Sequence, residues 1–199
     1  MSEETERSAR DKSAPEDRAV AGPLDESEAN PVRPYVDLGG VKVLPREGLD
    51  LRLEVEEGTG RVVAVALDFA GSTLQVQPFA APRSTGLWHE IRDQLAEQIA
   101  AQGGRTTVHE GALGPELLAE VPVTTGSKGS ESRLARFIGV DGPRWFLRGV
   151  ISGAAATDPE AAAQIEELFR SVVVVRGSAP MPPRDLIPLR VPAMPGAPE

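Results

Sequence analysis

The 199-residue chain contains no cysteine. Disulfides, thiol nucleophiles, thiolate zinc sites and cysteine-held iron–sulfur clusters therefore lie outside its chemistry. It has two histidines, His89 and His109, too few for a histidine-rich metal site. Aromatic side chains are scarce: two Trp, one Tyr and five Phe. No apolar run approaches membrane-spanning length, and the first residues hold no apolar signal core. These absences lead to the expectation of a soluble, cytoplasmic protein with no membrane role. Basic residues are outnumbered: the formal charge is −9, which repels a phosphate backbone, so nucleic-acid binding is not expected.

Hydrophobic residues make up 40% of the chain, with 20 Gly and 18 Pro. One core is affordable in such a composition, and much of the rest must be turn or tail. Residues 1–33 are dense in mixed charge and nearly free of large apolar side chains, so they read as a disordered acidic N-terminal tail. Residues 34–177 read as a single α+β domain. Residues 178–199 hold many of the prolines and read as an extended Pro-rich arm. Leu186, Ile187, Leu189 and Val191 make that arm too apolar for a pure linker, and it is expected to pack along the domain.

Within the domain, Leu51, Leu53 and Val55 alternate with Arg52, Glu54 and Glu56, the period of a half-buried strand. "RVVAVALDF" at 61–69 is apolar on both faces and predicts a central strand covered on both sides. "TLQVQPF" continues the meander. Trp88, Ile91, Leu95 and Ile99 then fall on one helical face. Ser84 or Thr85 is the expected cap, and Gly103–Gly104 the expected end. Two strands flank "GALGP", and "TTGSKGSES" at 124–132 reads as a loop. Asp158, Pro159 and Glu160 form a strong helix start, with Ala161, Ile165, Leu168 and Phe169 as its buried stripe. The fold class expected is α+β: a largely antiparallel sheet packed against helices.

"SRLARFIGV" and "RWFLRGVIS" flank Asp141–Gly142–Pro143 as a hairpin. A three-residue loop sorts it into an apolar face with Trp145 and a face carrying Arg136, Arg144, Phe146 and Arg148. These four are the candidate binding residues. Three converging guanidiniums suit a phosphate, a carboxylate or an acidic peptide. The reading preferred to that one pairs the same arginines with Glu166, Glu167 or the N-terminal acidic residues, or lays their stems over the sheet. Trp88 and Trp145 are assigned to the core.

Catalytic and metal-binding sets are missing. "HEIRD" puts Asp93 where a zinc-binding H-E-x-x-H helix needs its second histidine. No G-x-S-x-G elbow exists, and "GSKGSES" lacks phosphate-loop spacing. Carboxylate pairs such as Glu56/Glu57 fall on turns and polar faces, where solvation keeps their pKa values together. The expectation is a non-enzyme with no catalytic residues, no metal and no cofactor.

Five blocks in order, "GPLDESE", "VDLGGVKVLP", "LQVQPFAAPRSTGLWHEIRDQLAEQIAAQGG", "RFIGVDGPRWFLRGVISG" and "PMPPRDLIPLRVP", resemble the actinobacterial family known as domain of unknown function 3710. The resemblance covers about residues 22–192. It implies a cytoplasmic actinobacterial protein and carries no catalytic residues over. "DGPRWFLRGVISG" followed by "IEELFRSVVV" is similar, at the level of fold, to Mog1/PsbP-like sandwiches, which host non-catalytic binders. The expected function is a protein- or peptide-interaction module with an unidentified partner. The alternative is a small-anion or nucleotide binder using the arginine face. Oligomeric state is not legible.

Overall fold

The computed structural model describes residues 11–124 and 130–192. A short helix α1 (Arg18–Ala21) leads into β1 (Leu24–Asp25), β2 (Val36–Asp37) and β3 (Val41–Val43). The meander β4 (Asp50–Val55), β5 (Val62–Phe69) and β6 (Ser72–Ala80) precedes α2 (Trp88–Ala101). Then come β7 (Arg105–Gly111), β8 (Gly114–Thr124), β9 (Ser130–Asp141) and β10 (Trp145–Gly153), and finally α3 (Pro159–Arg170) and β11 (Val173–Val174). The main sheet is antiparallel in the order β4-β5-β6-β10-β9-β8-β7; a small sheet has the order β1-β11-β3-β2. This is an α+β fold. Among the described residues no helix is long and apolar enough to cross a membrane.

Local chemistry explains the elements. In β6, Ser72, Leu74, Val76 and Ala80 are buried while Thr73, Gln75 and Gln77 point the other way. In β5, Ala64 to Leu67 are all fully buried, as both faces of a central strand should be. Asp158 caps α3 through the Glu160 N–H, and Pro159 stands in its first turn. α3 then lays Ala161, Ile165, Leu168 and Phe169 into one core with Val65, Leu74, Ile138, Leu147 and Ile151. The opposite face of the sheet packs under α2, where Trp88, Ile91 and Leu95 meet Phe79, Phe137 and Phe146. The helix α2 has no side-chain cap of its own. Ser84 and Thr85 do not serve; the Asp141 carboxylate, from the hairpin, accepts the Leu87 N–H at 2.8 Å.

The order of the chain begins earlier than residue 33. Ser13 exchanges bonds with Asp141: its N–H donates to Oδ2 at 2.9 Å, and its carbonyl accepts the Asp141 N–H at 2.8 Å. Asp25 accepts the Trp145 indole N–H at 2.9 Å, and Arg18 lies 5.5 Å over that ring. Leu24 and Asp25 pair with Val173 and Val174. A tail boundary at 33 is thus too late for residues 11–33, because backbone pairing and single polar bonds hold a segment with little apolar surface to bury. Residues 1–10 of that tail lie outside the described residues, as do 125–129 of the expected loop and 193–199 of the arm.

The arm docks in cis. Ile187 and Leu189 are buried, and Arg184, Asp185 and Ile187 bond to Ala80 and Pro78 of β6 where β5 has left that strand. Arg190 donates its N–H to the Leu38 carbonyl.

The hairpin register differs from the expected one. Asp141 pairs with Phe146, Val140 with Leu147 and Arg136 with Ile151. The turn is Pro143–Arg144, closed by Gly142 N–H to Trp145 carbonyl at 2.9 Å, with Arg144 at φ 60°. This slip changes which residues share a face. Arg136, Ile138 and Val140 lie with Leu147 and Ile151 under α3, and Phe137 lies with Phe146 and Arg148 under α2. Sorting by polarity misleads here because both faces of the hairpin are covered.

Candidate functional site

The four expected site residues do not form one site. Phe146 is fully buried, stacked between Phe79 at 6.1 Å and Trp88 at 5.8 Å, and belongs to the core. Arg144 sits on the turn, where its carbonyl accepts the Ala81 N–H. Arg136 and Arg148 project from opposite faces of the sheet. The slip in register separates them, so the expected three-guanidinium face does not exist.

Arg136 is buried, and both of its terminal nitrogens are engaged. Its Nη1 donates to the Ala155 carbonyl at 3.1 Å, and its Nη2 to Glu116 at 2.6 Å and Glu166 at 3.0 Å. Burial opposes the charge, but the hydrogen bonds to Glu116 and Glu166 outweigh it and raise the guanidinium above its ordinary pKa. The Glu116 carboxylate is almost fully buried, with His109 Nε2 at 3.9 Å on its other oxygen. Three elements meet here: β8 with Glu116, β9 with Arg136 and the middle of α3 with Glu166. No local pattern in "GPELLAEVPV" marks Glu116; only the β8–β9 register, which sets Leu118 against Arg136, brings the pair together.

This cluster heads an open trough. The α3-side face of β7, β8 and β9 extends past the helix, so Thr107, Leu118 and Leu134 lie open there. A cavity of about 400 Å³ at the Glu116–Arg136–Glu166 end leads, past Ala156 and Thr157, into cavities of about 440 Å³ and 370 Å³. At the head, the carboxylates Glu110, Glu116, Asp158 and Glu166 face one guanidinium, Arg136. Leu134 is 46% exposed, unusual for a leucine on a central strand. On its outer side the trough is bounded by β7, the last strand of the sheet, whose outer backbone groups have no strand partner among the described residues.

A second, smaller cavity of about 210 Å³ lies on the other face, between α2 and the sheet, with Arg148 at its side. Among the described residues no cluster of three or more His, Asp or Glu has a metal-holding arrangement. Trp88 and Trp145 are both fully buried, as core tryptophans should be. Close packing shows at Gly139: a side-chain carbon there would come within 2.4 Å of the Trp88 ring.

The chain belongs to the DUF3710 family, described as proteins of unknown function, whose model matches residues 22–197. No curated protein matches it. Among solved structures it is similar to the solution structure of cyanobacterial PsbP (CyanoP) from Synechocystis sp. PCC 6803. That similarity has 16% identity and a TM-score of 0.39, over 77% of this chain and 99% of that one.

Proposed function

We propose that the protein is a non-catalytic interaction module that seats an extended, basic segment of a partner protein in the trough beside β7. The observation that carries this reading is the uncovered face of β7–β9, open along three neighbouring cavities that share Ala156 and Thr157 in their lining. Extended segments bind well next to a free strand edge, where backbone bonds give affinity and side-chain recesses give selectivity. The acidic head suits a lysine or arginine of the guest, and Leu118 and Leu134 suit an apolar neighbour. The setting in this reading is the cytoplasm, carried over from the sequence resemblance.

The test is selection of peptides from a random display library against the full chain. Binding peptides are expected to combine basic and apolar residues. Leu134→Arg should weaken them about tenfold or more, and Val55→Arg, at an exposed point on the opposite edge of the sheet, should not. Selected peptides that bind both variants equally would remove the trough as the site.

A further inference from the structure

The cavity under α2 contains a charge with no counter-charge. Among the described residues no carboxylate forms an ion pair with Arg148; its Nη2 donates to the Gln77 amide oxygen, and its Nε is buried without a hydrogen bond. Gln77 is itself fixed, donating to the Val63 carbonyl at 2.9 Å. The guanidinium therefore has a rigid support on one side and a missing acceptor. Burial alone pushes its pKa below the ordinary arginine value, with no neighbouring charge opposing. Arg148 is only partly buried, yet its Nε is shut away from water without an acceptor, and an anionic guest on the guanidinium would offset the cost of that desolvation.

The surroundings define what that guest is. Phe79 forms an aromatic floor, backed by the buried Phe146 ring stacked on it, with the Arg148 guanidinium 5.6 Å from the Phe79 ring. Ile91 and Leu95 of α2 form the wall, and Arg184 of the C-terminal arm stands at the margin. Arg184 is already paired with Glu90, so it adds little free charge. One planar guanidinium fork over an apolar floor matches a single carboxylate on an apolar body, whereas a phosphate dianion calls for more charge. At about 210 Å³ the cavity falls below the ~300–1,000 Å³ of drug-sized sites, which sets the size of the guest.

We infer that the cavity between α2 and the sheet binds a small monocarboxylate with an aromatic or branched apolar body, its carboxylate on Arg148 and its body against Phe79, Ile91 and Leu95. The carboxylate belongs either to a free small acid or to a chain end with an apolar last residue. The site is on the opposite face from the trough and does not depend on the reading given to it.

The experiment is calorimetric titration of the full chain with four probes: phenylacetate, phenylacetamide, inorganic phosphate, and a short peptide ending in phenylalanine with its carboxylate free or amidated. Phenylacetate is expected to bind at one site, and its neutral amide about tenfold or more weaker. Arg148→Gln should abolish binding. Leu95→Trp, which fills the cavity and leaves Arg148 in place, should also abolish it, and Leu134→Arg in the trough should leave it unchanged. Both cavity variants are checked for a native melting transition. If only the peptide with the free carboxylate binds, and needs Arg148, the guest is a chain end; if phenylacetate binds, a free acid suffices. No binding by either up to about 10 mM, a contribution too weak to matter, overturns the inference. Binding that survives Arg148→Gln, or that phosphate or the amide matches, overturns it equally.

Discussion

Arg136 and Arg148 stand on adjacent strands of one hairpin, Arg136 buried and Arg148 partly buried, and differ in what surrounds them. Arg136 looks toward α3 and meets two carboxylates and a carbonyl. Arg148 looks toward α2 and meets one amide, with a nitrogen left over. Beyond that difference in burial, the sharper contrast between the two is satisfaction. A buried cation held by matched anions is an internal strut, and removing it strands the anions. A partly buried cation held by one amide and the face of the Phe79 ring, with no counter-charge, is an incomplete site. The α3 side has one guanidinium for two bonded carboxylates, and the α2 side has the reverse imbalance. A guest on each side would need the opposite charge.

The largest way to disturb this contrast is to remove the C-terminal arm, which bonds β6 and carries Arg184 to the margin of the Arg148 cavity. Truncation after Gly177 exposes the sites filled by Ile187 and Leu189. At roughly 1.5–3 kcal/mol for each, the loss should be roughly 3–6 kcal/mol in urea unfolding. An unchanged midpoint would mean that the arm serves a partner and that its contacts here contribute nothing.

Next in size is Arg136→Met. It leaves Glu116 and Glu166 without their cation and should cost about 3–5 kcal/mol. Adding Glu116→Gln to it should recover part of that loss, since one stranded charge disappears. If Arg136→Met unfolds no more readily than the native chain, Arg136 is not a strut and the contrast with Arg148 collapses.

Why the sequence displays one half of this contrast and hides the other can be traced to particular residues. The alternation of Leu51 and Leu53, the double-sided run at 62–69 and the Asp158–Pro159 helix start are local signals, and each stands where the local chemistry put it. The docking of Ile187 and Leu189 follows from apolar residues in a segment too rich in proline for a helix or a long ladder, which makes only short backbone bridges to the domain. The hairpin register has no local signature, because Ile138, Val140, Phe137 and Phe146 are all apolar and both faces are packed. Glu116, Arg136 and Glu166 come from three elements, so their union exists only after register is set. The Asp141 carboxylate caps α2 from far along the chain, and Ser13 is fixed by that same carboxylate. Polar contacts over such separations leave no period to read.

Arg148→Met is a smaller change of opposite sign. With no carboxylate to strand, a flexible apolar chain in the same place should raise stability by about 1 kcal/mol in the absence of any guest. Thermal unfolding beside Arg136→Met gives the comparison directly. A loss as large as that of Arg136→Met would make both arginines structural.

The smallest effect carries the same distinction to two aspartates. Asp68, near the surface of β5, is bonded by Arg52 and by Thr73 at 2.6 Å, and the Arg52 bond chiefly holds its pKa below the ordinary value of 3.8. Its stabilising contribution is complete above 3.8 and is lost as pH falls through its lower native value; solvent screening keeps it within about 1 kcal/mol. Asp141 is buried, and burial pushes its pKa up, with the N–H groups of Leu87, Ser13 and Trp88 offsetting part of that. Between 3.8 and that raised value the native state holds more protons than the unfolded chain. Stability from Asp141 thus increases as pH falls across that window, the reverse of Asp68. Urea midpoints measured downward from pH 7 should show the Asp141 gain first and the Asp68 loss below it. Asp68→Asn should flatten only the lower limb, because it removes the group whose ionised form is paired and leaves the one whose ionised form is desolvated. Superimposable profiles for the two proteins would mean that the Arg52 contact contributes nothing in water.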